Sequence, residues 1–459
     1  IPGRRTLPRP ATDNRRTGHQ ASPPTVAGGM AVAIDSDVLV IGGGIAGLSA
    51  ALSAARTGAD VRLVSEAETT LHHASGLLDV LGYPPNADGD GPVVDPFDAI
   101  GDLPDSHPYA IVGAGTVRDG LAMIDDVLGE TYHGSHTDAN ALVSTQGGTV
   151  KPTARYPASV AAGLASDDRD ILLVGFERLT GFDAGVAADH LEAAGIPAET
   201  SAATVEFPIV VRDDAKVTRY AHLLDENPTV DGAGSDRRVR AALADAVEPS
   251  VEDAKRIGFP AVLGVDHPAA IRTELEDRLG AAVFEIPMGP PSILGGRLED
   301  RLYAALDDAG GQIESGGGPI VGFDAEGGMI SAVYMDRSGS QIPYAAEEYV
   351  LATGDVAGGG IDSDRDGVTE PIFGCHVPHP DDRYEWFEGE AFGDHAFAEF
   401  GVVVDEALRP MSGAGDPEFS NLRAAGAVIG GYDYPAEKSA SGVSIATGYA
   451  AGRRAAREG

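Results

Sequence analysis

A chain of 459 residues is long enough for one large two-part domain, or for two or three domains around separate cores. Its 71 acidic residues outnumber 33 lysines and arginines, leaving a net charge of −38, while 43 % of the residues are hydrophobic. That balance excludes a disordered acidic tail, which is poor in apolar residues, and it argues against a nucleic-acid partner.

The first 29 residues stand apart, with five arginines against one aspartate in a Pro-, Gly- and Ser-rich stretch. They carry +4, so the remainder carries −42. Residues 1–30 read as a disordered tail or an extension upstream of a start at Met30; an apolar signal core is lacking. Beyond them the acid is spread along the whole chain, and only Lys151, Lys216, Lys255 and Lys438 are lysines. This is the profile of a cytoplasmic protein adapted to molar salt. At about 1 M ionic strength the Debye length is roughly 3 Å, so like charges are tolerated; in dilute buffer they repel.

"DVLVI" (37–41) is an apolar strand with the signature of a parallel sheet, covered on both faces. Gly42, Gly44 and Gly47 then fit G-x-G-x-x-G, with Gly43 between them, a helix over 45–57 and a second strand over 60–65. Such a turn needs glycine for tightness, for backbone approach to a phosphate and for helix–strand packing. The helix N-terminus supplies free N–H groups and the positive dipole end. A carboxylate usually closes the second strand and bonds the adenosine ribose. Here that place is Ser65, with Glu66 one residue later, so either Glu66 swings in, or the adenosine half is held weakly or is absent.

Residues 31–82 are therefore the first part of a nucleotide-binding domain, and 83–290 an inserted substrate or cap region of mixed pattern. "GTVRDGLAMIDDVLG" (115–129) is one amphipathic helix of that insert, and "DILLVGFERLTGFDAGVAADHLEAAGI" (170–196) a strand, loop and helix. Further helices are expected over "DRRVRAALADAV" and "PAAIRTELEDRLG". From 291 to 459 the nucleotide-binding domain resumes, with a helix over "LGGRLEDRLYAALDDAGGQI" and two strands in "PIVGFDAEGGMISAVYM". A strand ending at Gly354 follows in "EEYVLATG". "DSDRDGVTE" (362–370) begins like an EF-hand loop, but Phe373 stands where the bidentate glutamate belongs, so no metal is expected. Cys375, the one cysteine, excludes an internal disulfide, an iron–sulfur cluster and a cysteine zinc site, and reads as a packed thiol. The chain closes with "NLRAAGAVIGGYD" and an alanine-rich helix over 439–456. A late return to strand and glycines favours a flavin over a nicotinamide cofactor, and Gly426, Gly431 and Asp433 join its candidate ligands. The expected fold is α/β: a Rossmann-like FAD/NAD(P)-binding flavoprotein with an inserted second α+β domain. No run approaches the 18 apolar residues of a membrane span, so direct membrane insertion is not expected.

"LHHASGLLDVLGYPP", "GGTVKPT", "EIPMGPPSILGGRLEDRL", "LATGDVAGGGI" and "NLRAAGAVIGGYDYPAEKSASGVSIATGYAA" resemble, in this order, the B subunit of anaerobic glycerol-3-phosphate dehydrogenase. The resemblance runs from about residue 35 to 456. It implies an FMN-bearing protein, with FAD the alternative. It also implies two partners, an FAD-containing A subunit, and an iron–sulfur C subunit, which holds the complex to the inner face of the membrane. The implied reaction oxidises sn-glycerol 3-phosphate to dihydroxyacetone phosphate and passes electrons to quinone. Ser65 fits that family. Lys151 replaces the family's usual arginine, and the tail before Met30 has no counterpart.

Within these blocks His73 and Ser75 are candidate catalytic residues, or else parts of a structural turn. Lys151 and Arg155 are candidates for a substrate phosphate, or else solvent-facing charges. Arg297, the third substrate-phosphate candidate, opens a helix, where the macrodipole disfavours a cation; a functional ligand or a buried partner would explain it, and a plain surface position is the other reading. Two rival readings remain: a non-catalytic electron-transfer or assembly protein of that complex, and a free-standing flavin reductase or dehydrogenase of another small substrate.

The charge balance makes one expectation measurable. The melting temperature rises steeply between dilute buffer and molar KCl; an unchanged melting point would contradict salt adaptation.

Overall fold

The computed structural model describes residues 33–66, 69–85, 91–213, 215–230, 237–391 and 393–458. The expectation for residues 1–30 lies outside them. The first βαβ unit comprises β1 (Ile34–Ile41), α1 (Ile45–Ala55) and β2 (Val61–Val64), with β1 and β2 parallel from Val38↔Val61 to Ile41↔Val64. Val38, Leu39 and Val40 are fully buried, as expected of a strand covered on both faces.

α2 (Ala114–Leu128) is the amphipathic helix expected over 115–129; Val117, Leu121, Ile124 and Leu128 form its buried stripe. The region from residue 83 was expected to belong to an inserted part, and its first helices pack with the first βαβ unit. Phe97, Ile100, Tyr109 and the α2 stripe all join the core of β1 and β2. An amphipathic helix declares which face it buries, not which core receives it.

The second core is built around β3 (Ile171–Phe176), β4 (Thr200–Val205), β5 (Arg256–Pro260), α3 (Pro268–Leu279) and β6 (Ala282–Ile286). Its sheet runs β6–β5–β3–β4, parallel throughout. Short antiparallel pairs, 132–133 with 156–157 and 141–144 with 150–153, accompany it, so the inserted region contains both kinds of ladder. Arg256 is fully buried in this module and donates to the carbonyls of Ala162, Leu164, Asp167 and Arg169.

The chain returns through α4 (Ile293–Asp308), β7 (Gln312–Glu314), β8 (Ile320–Glu326), β9 (Met329–Arg337) and β10 (Ser340–Leu351). It ends with β11 (Leu422–Ala424) and α5 (Ala440–Glu458). The main sheet has seven strands. β7, β2, β1 and β10 lie side by side and parallel, and β11 continues them beside Tyr349–Leu351 of β10. The β8–β9 hairpin pairs antiparallel with the other half of β10. This order is the Rossmann-like arrangement expected, with the ends of β1 and β10 adjacent to receive a ligand.

Asn421 locks the hairpin to β11. It is 2 % exposed, its Oδ1 accepts from Ile330 N, and its Nδ2 donates to Ile330 O and Glu347 O. Asn421→Ala leaves the buried N–H and C=O of Ile330 without that partner and should cost about 2–3 kcal/mol, read as a lowered denaturation midpoint in molar KCl.

Candidate functional site

The glycine turn sits where β1 meets its neighbours. Gly42 N donates to Val64 O at 2.8 Å, and Ala352 N to Ile41 O at 2.8 Å. Each glycine of the motif serves a different need. A Cβ on Gly42, whose φ is +118°, would stand 2.1 Å from Ala352 O, and one on Gly47 would stand 1.9 Å from Gly42 O. These two are demanded by backbone packing alone. A Cβ on Gly43 would lie 3.1 Å from Ser65 Oγ, whereas one on Gly44 would meet only Thr70 Oγ1 at 3.9 Å. Gly44 is the N-cap of α1 at an ordinary φ of −72°, so neither crowding nor strain requires glycine there. The space beside it, in front of the free first-turn amides of α1, fits a phosphate.

Other strand ends converge on this turn. Ala352 and Thr353 lead directly to Gly354 (φ +85°), and Thr353 Oγ1 is a buried atom without a hydrogen-bond partner among the described residues. A ligand oxygen would satisfy such a group. On the far side, a Cβ on Gly426 (φ +76°) would stand 2.5 Å from Ala46 Cβ, and Gly426 N donates to Thr447 Oγ1. Ser65 is buried at 8 %, next to Gly43 and 3.4 Å from Ser315 Oγ, whereas Glu66 is exposed. The hydroxyl therefore occupies the place of the customary carboxylate. The turn, Ser65, Gly354 and Gly426 thus come together, and they fit a flavin nucleotide.

Gly431, five residues after Gly426, borders a cavity. The cavity, of about 1190 Å³, is lined also by Ser106, Phe400 and Gly401, none of which belongs to the turn. Asp433 was expected to orient the cofactor; its Oδ1 instead accepts Ala436 N at 3.0 Å and caps the short helix Tyr434–Glu437. An aspartate before a proline-led helix is a cap for local reasons.

The turn after β2 is a 3-10 helix, Thr70–His73, capped by Thr69. His73 is exposed, His72 Nδ1 lies 3.7 Å from Glu299, and Ser75 Oγ accepts Leu77 N at 3.4 Å. A Cβ on Gly295 of α4 would stand 2.1 Å from Leu71 O, so this turn rests against the start of that helix.

The three basic candidates are all tied to protein partners. Lys151 Nζ is 2.5 Å from Asp79, a carboxylate 6 % exposed that also accepts from Thr153 Oγ1. Arg155, 6 % exposed, donates through Nε and Nη2 to Asp125 and through Nη1 to the Gly134 and Ala154 carbonyls. Four of its five N–H groups are thereby engaged by protein acceptors, as burial of a guanidinium requires. Arg297 has a buried partner, Glu285, fully buried, at 2.7 Å.

Cys375 is 2 % exposed; burial first, then the charges of Glu370 and Glu418, push its thiol up, so it is a packed thiol. In the acidic loop, Asp364 Oδ1 accepts the amides of Asp366 and Gly367, which spends that oxygen on the turn.

Residues 37–443 match the family described as FAD binding domain. A probable B subunit of anaerobic glycerol-3-phosphate dehydrogenase from Halobacterium salinarum is 61 % identical over 93 % of this chain and 99 % of its own length. The B subunit of the Vibrio cholerae anaerobic glycerol-3-phosphate dehydrogenase is 32 % identical over 90 % of this chain and 94 % of its own. Among solved structures, a 3-ketosteroid delta1-dehydrogenase from Sterolibacterium denitrificans aligns over 93 % of this chain and 100 % of that one, at 10 % identity and a TM-score of 0.41.

The division of labour among the glycines predicts two different failures. Gly44→Val should fold with a near-normal melting temperature yet lose bound flavin, because its side chain fills only the phosphate space. Gly47→Val should melt far lower. Full flavin retention by folded Gly44→Val would refute the site.

Proposed function

The chain belongs to the family of anaerobic glycerol-3-phosphate dehydrogenase B subunits and carries an FAD-binding domain, and from that premise we propose that it takes part in oxidising sn-glycerol 3-phosphate to dihydroxyacetone phosphate. The observation that carries the flavin site is the open space at Gly44 before the amides of α1, framed by Ser65, Gly354 and Gly426. The cofactor is a flavin. The resemblance alone suggested FMN, but the match to an FAD binding domain over 37–443 favours FAD.

In this reading Gly42 to Gly44, Gly47 and the start of α1 hold the phosphates, and buried Ser65 faces the ribose with a neutral hydroxyl. A bound flavin supplies acceptance of the two electrons of a C–H bond and their release one at a time. His73, exposed on the turn after β2, takes the substrate hydroxyl proton on a ring nitrogen. Ser75 shapes that turn through its bond to Leu77 N.

Single-electron carriers must lie in partner proteins, because one cysteine cannot ligate an iron–sulfur cluster. We assign that role to an iron–sulfur C subunit, beside an FAD-containing A subunit, with quinone as final acceptor. Among the described residues no helix is long and apolar enough to cross a membrane, so attachment to the inner membrane face passes through partners.

Dye reduction in molar KCl tests the reading. Glycerol 3-phosphate should drive it when this chain is assembled with its partners, and NAD(P)H should not. Bleaching of the flavin by NAD(P)H, with no response to glycerol 3-phosphate, would establish a free-standing reductase instead.

A further inference from the structure

The groove of about 1190 Å³ that Gly431 borders shares no lining residue with the glycine turn. It exceeds the roughly 300–1,000 Å³ of small-molecule pockets and has room for part of another protein. One wall comes from residues 378–406 and the other from residues 105–111, with residues 429–431 between them. Along 384–403 the first wall exposes apolar side chains: Tyr384 is 75 % exposed, and Phe387, Phe397 and Val403 are each about half exposed. Four of the ten large apolar residues that stand out on the described surface thus fall within 20 residues of one another, beside one groove. Clustering of this kind marks an interaction surface, whereas scattered exposure does not.

The charge of the groove says what it accepts. Asp105, Glu399, Asp405 and Glu406 line it. Asp405 is paired with Arg409 at 2.7 Å, but Asp105, Glu399 and Glu406 make no ion pair among the described residues. Arg454 also lines the space, so three unpaired carboxylates stand against one guanidinium. Partial burial, then the charges of Asp433, Glu437 and Asp394, push the Glu399 carboxyl up, so every charge that shifts it is negative. A wall of this sign repels nucleic acid and anionic membrane surfaces and attracts a cationic protein segment. In molar salt, charges interact only within a screening length of roughly 3 Å, so the cations of the partner must enter the groove itself.

The walls are set before any partner arrives. Trp386 Nε1 donates to Pro380 O at 2.8 Å, and Phe397 N donates to Trp386 O at 3.0 Å. The Trp386 ring stands edge-on to Phe400 and to His379, each at 5.8 Å. Val402 N donates to Val428 O at 2.8 Å and Gly430 N to Val402 O at 3.1 Å, and a Cβ on Gly401 would stand 2.3 Å from Gly430 N. A surface held in this way loses little freedom on binding.

We propose that this groove receives an arginine-bearing apolar segment of a partner subunit, with its apolar side chains on Ile111, Phe397 and Val403 and its guanidiniums on Glu399 and Glu406. The inference rests on the reading of this chain as one subunit of a complex, and it adds where that complex is joined. Aromatic and arginine contacts dominate the energetics of such interfaces. The glycine turn takes no part, so substitutions here leave flavin retention untouched.

The test is to co-express the full chain with the A and C subunits, purify through a tag on this chain in molar KCl, and measure partner affinity by sedimentation. Phe397→Ser, Val403→Ser and Glu399→Gln should each lower that affinity about tenfold or more, with melting temperature and flavin content unchanged. Val210→Ser, at an exposed site beside the second core, should bind as the unsubstituted chain does. Partner affinity unchanged in all three groove variants, or lowered equally by Val210→Ser, would overturn the proposal. The lone chain separates the other occupants. A dimer dissolved by Phe397→Ser would assign the groove to a second copy. A melting temperature lowered equally by deleting residues 1–29 and by Glu399→Gln would assign it to this chain's own basic segment. Either result would overturn the proposal as well. An unsubstituted chain that assembles with neither subunit would refute the reading as a subunit, and the groove assignment with it.

Discussion

Backbone-to-backbone contact between α1 and its neighbours is the constraint on which the rest of this molecule depends. A Cβ on Gly448 of α5 would stand 2.4 Å from Ala46 O, and one on Gly452 would stand 2.0 Å from Ala50 O. Two glycines four residues apart on α5 thus lie directly against two alanines four residues apart on α1. Gly426 presses on Ala46 and Gly47 on Gly42 in the same way. The N-terminus of α1 is consequently held by β1, by the loop after β11 and by the last helix at once. Such close packing leaves no freedom to drift, and it keeps the first amides of α1 aimed at one point. The phosphate site follows from helix packing as much as from the motif that advertises it.

Charge is organised by a complementary rule. Several arginines are spent inside: Arg256 on carbonyls, Arg155 on Asp125, Arg297 on Glu285 and Arg423 on Glu348. Burial pushes Arg256 down, with Asp167 opposing, and hydrogen bonding from Arg169 holds Asp167 down at about 2. Arginine is suited to this because its fork satisfies several acceptors at once. The consequence is that cations are withdrawn from a surface already dominated by acid. Repulsion among those acids is what high salt relieves.

Much of this was legible from residues alone, for identifiable reasons. The strand, turn and helix at 37–57 stood out because three requirements, apolar run, glycine spacing and helix periodicity, agreed within about 20 residues. Gly354 and Gly426 stood out because late glycines after apolar strands mark tight turns, and both have a positive φ. Misassignments occurred where chemistry was read without partners. Lys151 and Arg155 looked like anion ligands, but carboxylates distant in sequence, Asp79 and Asp125, had already claimed them. Asp433 looked like a cofactor ligand and proved to be a local cap. That Phe97, Tyr109 and the α2 stripe pack on the core of β1 and β2 was not legible, because periodicity carries no address. Gly448 and Gly452 escaped notice in an alanine-rich run, although their four-residue spacing was a visible sign of helix contact.

The central claim is that backbone amides at the start of α1, opened by Gly44, hold a flavin phosphate. Its most direct test is to purify the full chain in molar KCl, denature it and identify the released chromophore by absorbance and mass. The account predicts a yellow protein that releases FAD at close to one per chain. A correctly folded but colourless protein that takes up neither FAD nor FMN would contradict it.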